Sequence, residues 1–120
     1  MSLQECYSAL GGSYEEVLSR LSSERLVKKF ALKFLTDPSY DLLVRSMGSE
    51  DWPEAFRAAH TIKGVCQNLS FTTLYQSSHA LAEALRNGYT PEAPALYAQV
   101  QADYEKTVSA IRAYQAESEV

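Results

Sequence analysis

Apolar residues recur along the chain at steps of three and four, and no segment sustains the alternation that a half-buried strand would need. The pattern predicts helix throughout. Gly11-Gly12 closes a short first helix, and Ser13 with Glu16 has the Ser-x-x-Glu spacing that starts a second, running to about Leu21. Ser22 or Ser23 caps a third, with Leu26, Phe30 and Phe34 on one face. It stops at Asp37-Pro38, because proline disfavours the helical conformation in the residue ahead of it. Tyr40 to Met47 makes a fourth, ended by Gly48.

Asp51-Trp52-Pro53-Glu54 is a further start, with a capping acid, a proline in the first turn and a Glu three residues after the cap; this helix continues to about Leu69. After a turn at Ser70 to Thr72 the next helix reaches Asn87-Gly88, where glycine can take the left-handed conformation. Thr90-Pro91-Glu92 opens the last. Its Leu96, Val100, Tyr104, Thr107, Ile111 and Tyr114 keep close to heptad spacing, as do Leu74, Ser78, Leu81 and Leu85 before it. The expected fold is all-α, an antiparallel up-and-down four-helix bundle over residues 23–116 with short additional helices in residues 1–22, together one domain. Glu117 to Val120 are expected to fray.

Composition narrows the function. A chain of 120 residues, 46% hydrophobic and 22% charged, can bury one core. The net charge of -4 and the scatter of eleven basic residues leave no cationic stripe for nucleic acid or anionic lipid. No run is long and apolar enough to span a membrane, and the start lacks the basic-then-apolar pattern of a leader, so the expected location is the cytoplasm. Cys6 and Cys66 stand far apart, outside any Cys/His cluster, and read as reduced thiols; neither a metal nor a cofactor is expected.

The informative segment is Asp51 to Leu69. Trp52, Ala55, Phe56, Ala59, Ile62, Cys66 and Leu69 trace a core-facing stripe, and His60 falls on its flank with Arg57, Lys63, Gly64 and Gln67 on the same surface. A glycine inside a helix costs about 0.5 to 1 kcal/mol relative to alanine, so Gly64 calls for a compensating use. One turn beyond a histidine it leaves room for a bulky anion or an approaching partner, and Lys63 sets a positive charge beside that room. A neutral exposed imidazole is a competent nucleophile without a dedicated base. His-x-x-Lys-Gly on an exposed helical face suits phosphoryl transfer.

Ala59-His60-Thr61-Ile62-Lys63-Gly64 resembles the Ala-His-x-Leu-Lys-Gly signature of histidine phosphotransfer (HPt) domains. Phe30 to Leu35, Leu42 to Met47 and Asp51-Trp52 resemble the segments preceding that motif, and Leu74, Leu81 and Gly88 fall where the family places the following helix and its end. The resemblance implies that His60 accepts and returns a phosphoryl group, that Lys63 favours its charge and that Gly64 keeps the approach clear. Arg57 and Gln67 would flank the partner, Gln67 as a hydrogen-bonding group. The implied partners are a response-regulator receiver domain and a sensor histidine kinase, with the chain itself a monomer. Two positions depart from the family pattern: Ser70, where a Gly usually closes the helix, and Ala82, where an acid is common.

The plainer readings stand beside these. A solitary helical histidine is usually incidental, and Gly64 could mark close packing of two helices. His79, off its helix's apolar stripe and lacking a following Lys-Gly, reads as a surface or rim residue. Trp52 and the eight tyrosines read as core or rim. No phosphate-binding Gly-rich loop appears, so the chain is expected to be a carrier and not an enzyme. The rival from another class is a helical interaction module that recognises a partner helix in a groove.

Overall fold

The computed structural model describes residues 1–118, which form seven α-helices and one 3-10 turn. In chain order these are α1 (Leu3–Leu10), α2 (Tyr14–Leu21), α3 (Glu24–Lys33), the 3-10 turn (Phe34–Thr36), α4 (Ser39–Gly48), α5 (Trp52–Leu69), α6 (Thr72–Leu85) and α7 (Ala93–Ser118). The all-helical bundle read from the periodicity is what forms. Short turns fold α4, α5, α6 and α7 back on one another in sequence, α3 touches both α5 and α7, and α1 lies along α7. The 26 residues of α7, at about 1.5 Å each, run much of the molecule's 43 Å length.

Local chemistry explains most boundaries. The Ser13, Ser23 and Asp51 side chains accept the backbone N–H of Glu16, Leu26 and Glu54, at 3.2, 3.1 and 3.2 Å, and so cap α2, α3 and α5. Ser22 is thereby freed to end α2 in the left-handed conformation, at φ 66°. Other boundaries depart from the sequence expectation. The third helix tightens at Phe34 into a 3-10 turn before Asp37, whose carboxylate then accepts the Ser39 N–H at 2.8 Å and opens α4. Gly48 does not end α4 from outside; it is the last helical residue, and Glu50 takes the left-handed conformation at φ 59°. α6 stops at Leu85, short of Asn87-Gly88, and Gly88 turns the chain at φ 107°. Thr90 supplies no cap, since its hydroxyl is buried without a partner, and α7 begins only at Ala93. α7 is helical through Ser118, and the Glu117 carboxylate lies 2.6 Å from the Met1 nitrogen; Glu119 and Val120, expected to fray, fall outside the described residues.

The core is continuous from α1 to α7. Leu3, Cys6, Tyr7 and Leu10 are buried with Leu43, Leu74, Leu81 and Ile111, and Phe71 sits at the centre of an aromatic cluster. Its ring centroid is 5.5 Å from that of Tyr7 and 5.2 Å from that of Phe34. Both cysteines are buried free thiols, and burial pushes the Cys6 thiol up to about 11 and raises that of Cys66 as well, which disfavours the reactive thiolate.

Ser70, where a family glycine is missing, still closes α5 in the left-handed conformation, at φ 56° and ψ 39°. A side chain there is strained by about 1 kcal/mol. The N-terminal hairpin compensates. The Ser70 hydroxyl donates to Glu16 Oε1 and accepts from Arg20 Nη1, both at 2.9 Å. Arg20 also donates to the Asn68 carbonyl at 2.8 Å, Tyr7 to the Leu69 carbonyl at 2.8 Å, and the Ser13 N–H to the Ser70 carbonyl at 2.9 Å. The Asn68, Leu69 and Ser70 carbonyls, which lack partners within the helix, are thus satisfied from α1, α2 and the cap of α2. Ser70→Ala keeps the strain and loses the hydroxyl, and is expected to cost about 1 to 2 kcal/mol in urea unfolding. Ser70→Gly loses the hydroxyl but sheds the strain, and should cost less.

Candidate functional site

The cap at Asp51, the proline in the first turn and the borrowed hydrogen bonds at Ser70 fix both ends of α5, so groups on its surface are carried on a stiff rod. Ala55, Ala58, Ala59, Ile62, Cys66 and Leu69 face inward, and Arg57, His60, Thr61, Gly64 and Gln67 face solvent. His60 is therefore exposed in the middle of the rod. Trp52 and Phe56, expected on the inward stripe, are only half-buried and lie at its edge.

Among the described residues no hydrogen bond reaches the His60 ring, and its directional contact is with the ring of Phe56, centroid to centroid 5.7 Å. A Cβ built at Gly64 would meet nothing within 4 Å. That disposes of the close-packing reading of this glycine: the space beside it is open. Lys63 is half-buried and not fully exposed, and among the described residues it makes no ion pair. Its ammonium acts across the α5–α6 seam. The Glu83 carboxyl is held below the usual carboxylate range, first by the hydrogen bond from Arg86 and then by the charges of Arg86, His79 and Lys63.

Arg57 shares the exposed face but is already engaged, its Nε donating to Glu54 Oε1 at 2.8 Å one turn back. Exposed pairs of this kind are weak and easily exchanged. Gln67 is exposed two turns beyond His60. It borders a cleft of about 250 Å³ between α5 and α6 that Ser70, Tyr75 and Gln76 help to line. The structure thus places Arg57, His60, Gly64 and Gln67 along one exposed line, with Lys63 half-buried beside it in sequence.

His79 is less peripheral than the sequence suggests. It is half-buried, its ring is nearly parallel to that of Tyr75 at 5.9 Å, and its Nδ1 is buried with no hydrogen-bond partner. At Ala82, fully buried, no acid could stand without a partner; the neighbouring acid is Glu83, exposed and forked onto Arg86. Arg86 and Glu83 border the site and drew no notice in sequence. Their signal was available only in part, since Arg86 follows Glu83 at the three-residue step of a helical pair but lies outside the motif.

The site holds an exposed imidazole and an empty space one turn along, and among the described residues no three His, Cys, Asp or Glu side chains cluster. Among the described residues no helix is long and apolar enough to cross a membrane. Comparison with curated proteins and with solved structures gives no match. Comparison with protein families matches the Hpt domain over residues 14–110, from the first residue of α2 into the last third of α7 and across every residue of the site. Members of that family are helical bundles that serve phosphotransfer in two-component phosphorelays, and this chain belongs to the Hpt domain family.

Proposed function

We propose that the protein is a phosphocarrier in which His60 takes a phosphoryl group from the aspartate of a response-regulator receiver domain, or from a sensor histidine kinase, and passes it to another receiver aspartate. The observation that carries this reading is the open imidazole at mid-helix, with unfilled space at Gly64 one turn along. The lone pair of the unprotonated ring nitrogen forms the N–P bond as the bond from phosphorus to the aspartyl oxygen breaks, its electron pair returning to the carboxylate. The proton on the other ring nitrogen can then leave to water. The return step reverses these changes.

The chain's own contribution is positioning. A helix fixed at both ends presents the nucleophile in line with phosphorus more accurately than a loop would, while Lys63 offsets the dianionic charge that accumulates on the ring. Arg57 and Gln67 flank the landing area, and Arg57 can leave Glu54 at little cost to meet a partner's acid. The protein acts as a monomer in the cytoplasm, without nucleotide or cofactor of its own.

The test is incubation with a receiver domain phosphorylated by labelled acetyl phosphate, followed by acid and alkali treatment. A phosphoramidate on the protein is labile to acid and stable to alkali, and its absence with every member of a receiver panel would refute the carrier reading. Lys63→Ala is expected to slow transfer roughly tenfold, the loss of a charge-assisted contact of about 1.5 kcal/mol. Its unfolding midpoint should stay put, because Lys63 makes no ion pair among the described residues.

A further inference from the structure

The edge of α5 that carries His60 holds a row of side chains that the carrier reading leaves unused. Trp52, Phe56 and His60 follow one another at four-residue steps, which brings each side chain over the turn before it. The Phe56 and His60 rings stand 5.7 Å apart and 26° from parallel, an offset stack. Phe56 is braced in turn across the seam to α6. The Arg86 guanidinium carbon lies 5.3 Å from its ring centroid, a cation–π distance. Arg86 is itself held by two donated hydrogen bonds, at 2.6 and 3.3 Å, to the two carboxylate oxygens of Glu83. One turn earlier, Trp52 meets Tyr89 at 5.0 Å, so the row is packed on the side away from His60 as well.

An exposed histidine with no hydrogen bond samples several staggered side-chain wells. Attack on phosphorus requires one of them. We infer that Phe56 is a positioning residue, which stacks on the His60 imidazole to hold it in a single rotamer, and that Arg86, locked by Glu83, keeps the Phe56 ring in place. The inference rests on the carrier reading for its consequence but not for its geometry. A flat π face is the property in use, so an aromatic replacement should serve and an aliphatic one of similar size should not.

Three variants test it, with folding monitored by circular dichroism: Phe56→Leu, Phe56→Tyr and Arg86→Gln. Single-turnover transfer is followed against increasing concentration of whichever phosphorylated receiver transfers fastest to the native protein. Phe56→Leu should lower the saturating rate about three- to tenfold, the scale of one aromatic contact, while the half-saturating concentration stays within about twofold, as expected of a residue that orients without docking. Phe56→Tyr should restore the rate, and Arg86→Gln should fall between. An unchanged saturating rate with a raised half-saturating concentration in Phe56→Leu would make Phe56 a docking contact and overturn the inference. Side-chain coupling constants of His60 in the unphosphorylated protein give a readout independent of transfer. They should report one rotamer in the native protein and in Phe56→Tyr, and averaging in Phe56→Leu. Equal averaging in native and Phe56→Leu protein defeats the inference, while failure of the native protein to take label defeats the carrier reading and leaves the couplings to decide the orienting role.

Discussion

His60→Gln is expected to abolish the acid-labile label and to leave the protein folded. Both halves of this expectation follow from the position of the residue. The ring is exposed, no hydrogen bond reaches it among the described residues, and its one directional contact is the stack on Phe56. Loss of one exposed aromatic contact moves stability by about 1 kcal/mol at most, so loss of label cannot be laid to unfolding if the variant still unfolds cooperatively in urea. Glutamine keeps polarity and approximate bulk but offers an amide nitrogen whose lone pair is delocalised, and it forms no phosphoramidate. His79 makes the experiment sharper. It is the other histidine of the chain, and its Nδ1 is buried. His79→Gln should retain full labelling; label that survives in His60→Gln and vanishes in His79→Gln would move the acceptor to α6.

At Gly64 stability and transfer should move in opposite directions. A Cβ there meets nothing within 4 Å, and the residue is not among those at positive φ. Gly64→Ala should therefore stabilise the protein by about 0.5 to 1 kcal/mol, the usual gain for alanine over glycine inside a helix. Gly64→Phe should fold equally well, because its ring projects into the same open space. Its transfer rate should fall on the order of a hundredfold, since displacement of the reacting groups by about 1 Å already costs that much. Thermal unfolding read alongside transfer distinguishes a cleared approach from mere tolerance: wild-type transfer in Gly64→Phe would mean that no partner passes over this position.

Much of α5 could be read before any coordinates because its signals are local. Asp51, Pro53 and Glu54 define its start within one turn, and the alanines and Ile62 that face inward leave His60 and Gly64 facing out by helical geometry alone. Features that depend on residues distant in sequence could not be read this way. At Ser70, where the family pattern has a Gly, the compensation comes from Glu16 and Arg20, some fifty positions away. Likewise Lys63 reads as an exposed lysine from periodicity, whereas in the folded chain it is half-buried and its charge is felt at Glu83 on α6. The early start expected for α7 failed for a related reason, since burial left the Thr90 hydroxyl without a partner where a cap was anticipated.

The seating of α1 along α7 bears on how the chain acquires its shape during synthesis. Leu3, Cys6, Tyr7 and Leu10 are made well before the surface that receives them, which includes Ala110, whose carbonyl accepts from Cys6 Sγ at 3.5 Å across a separation of 104 positions. Contacts so widely separated are slow to close, and much of the apolar side of α1 stays uncovered until α7 is made. A chaperone that binds the growing chain would find this segment open to it throughout that interval.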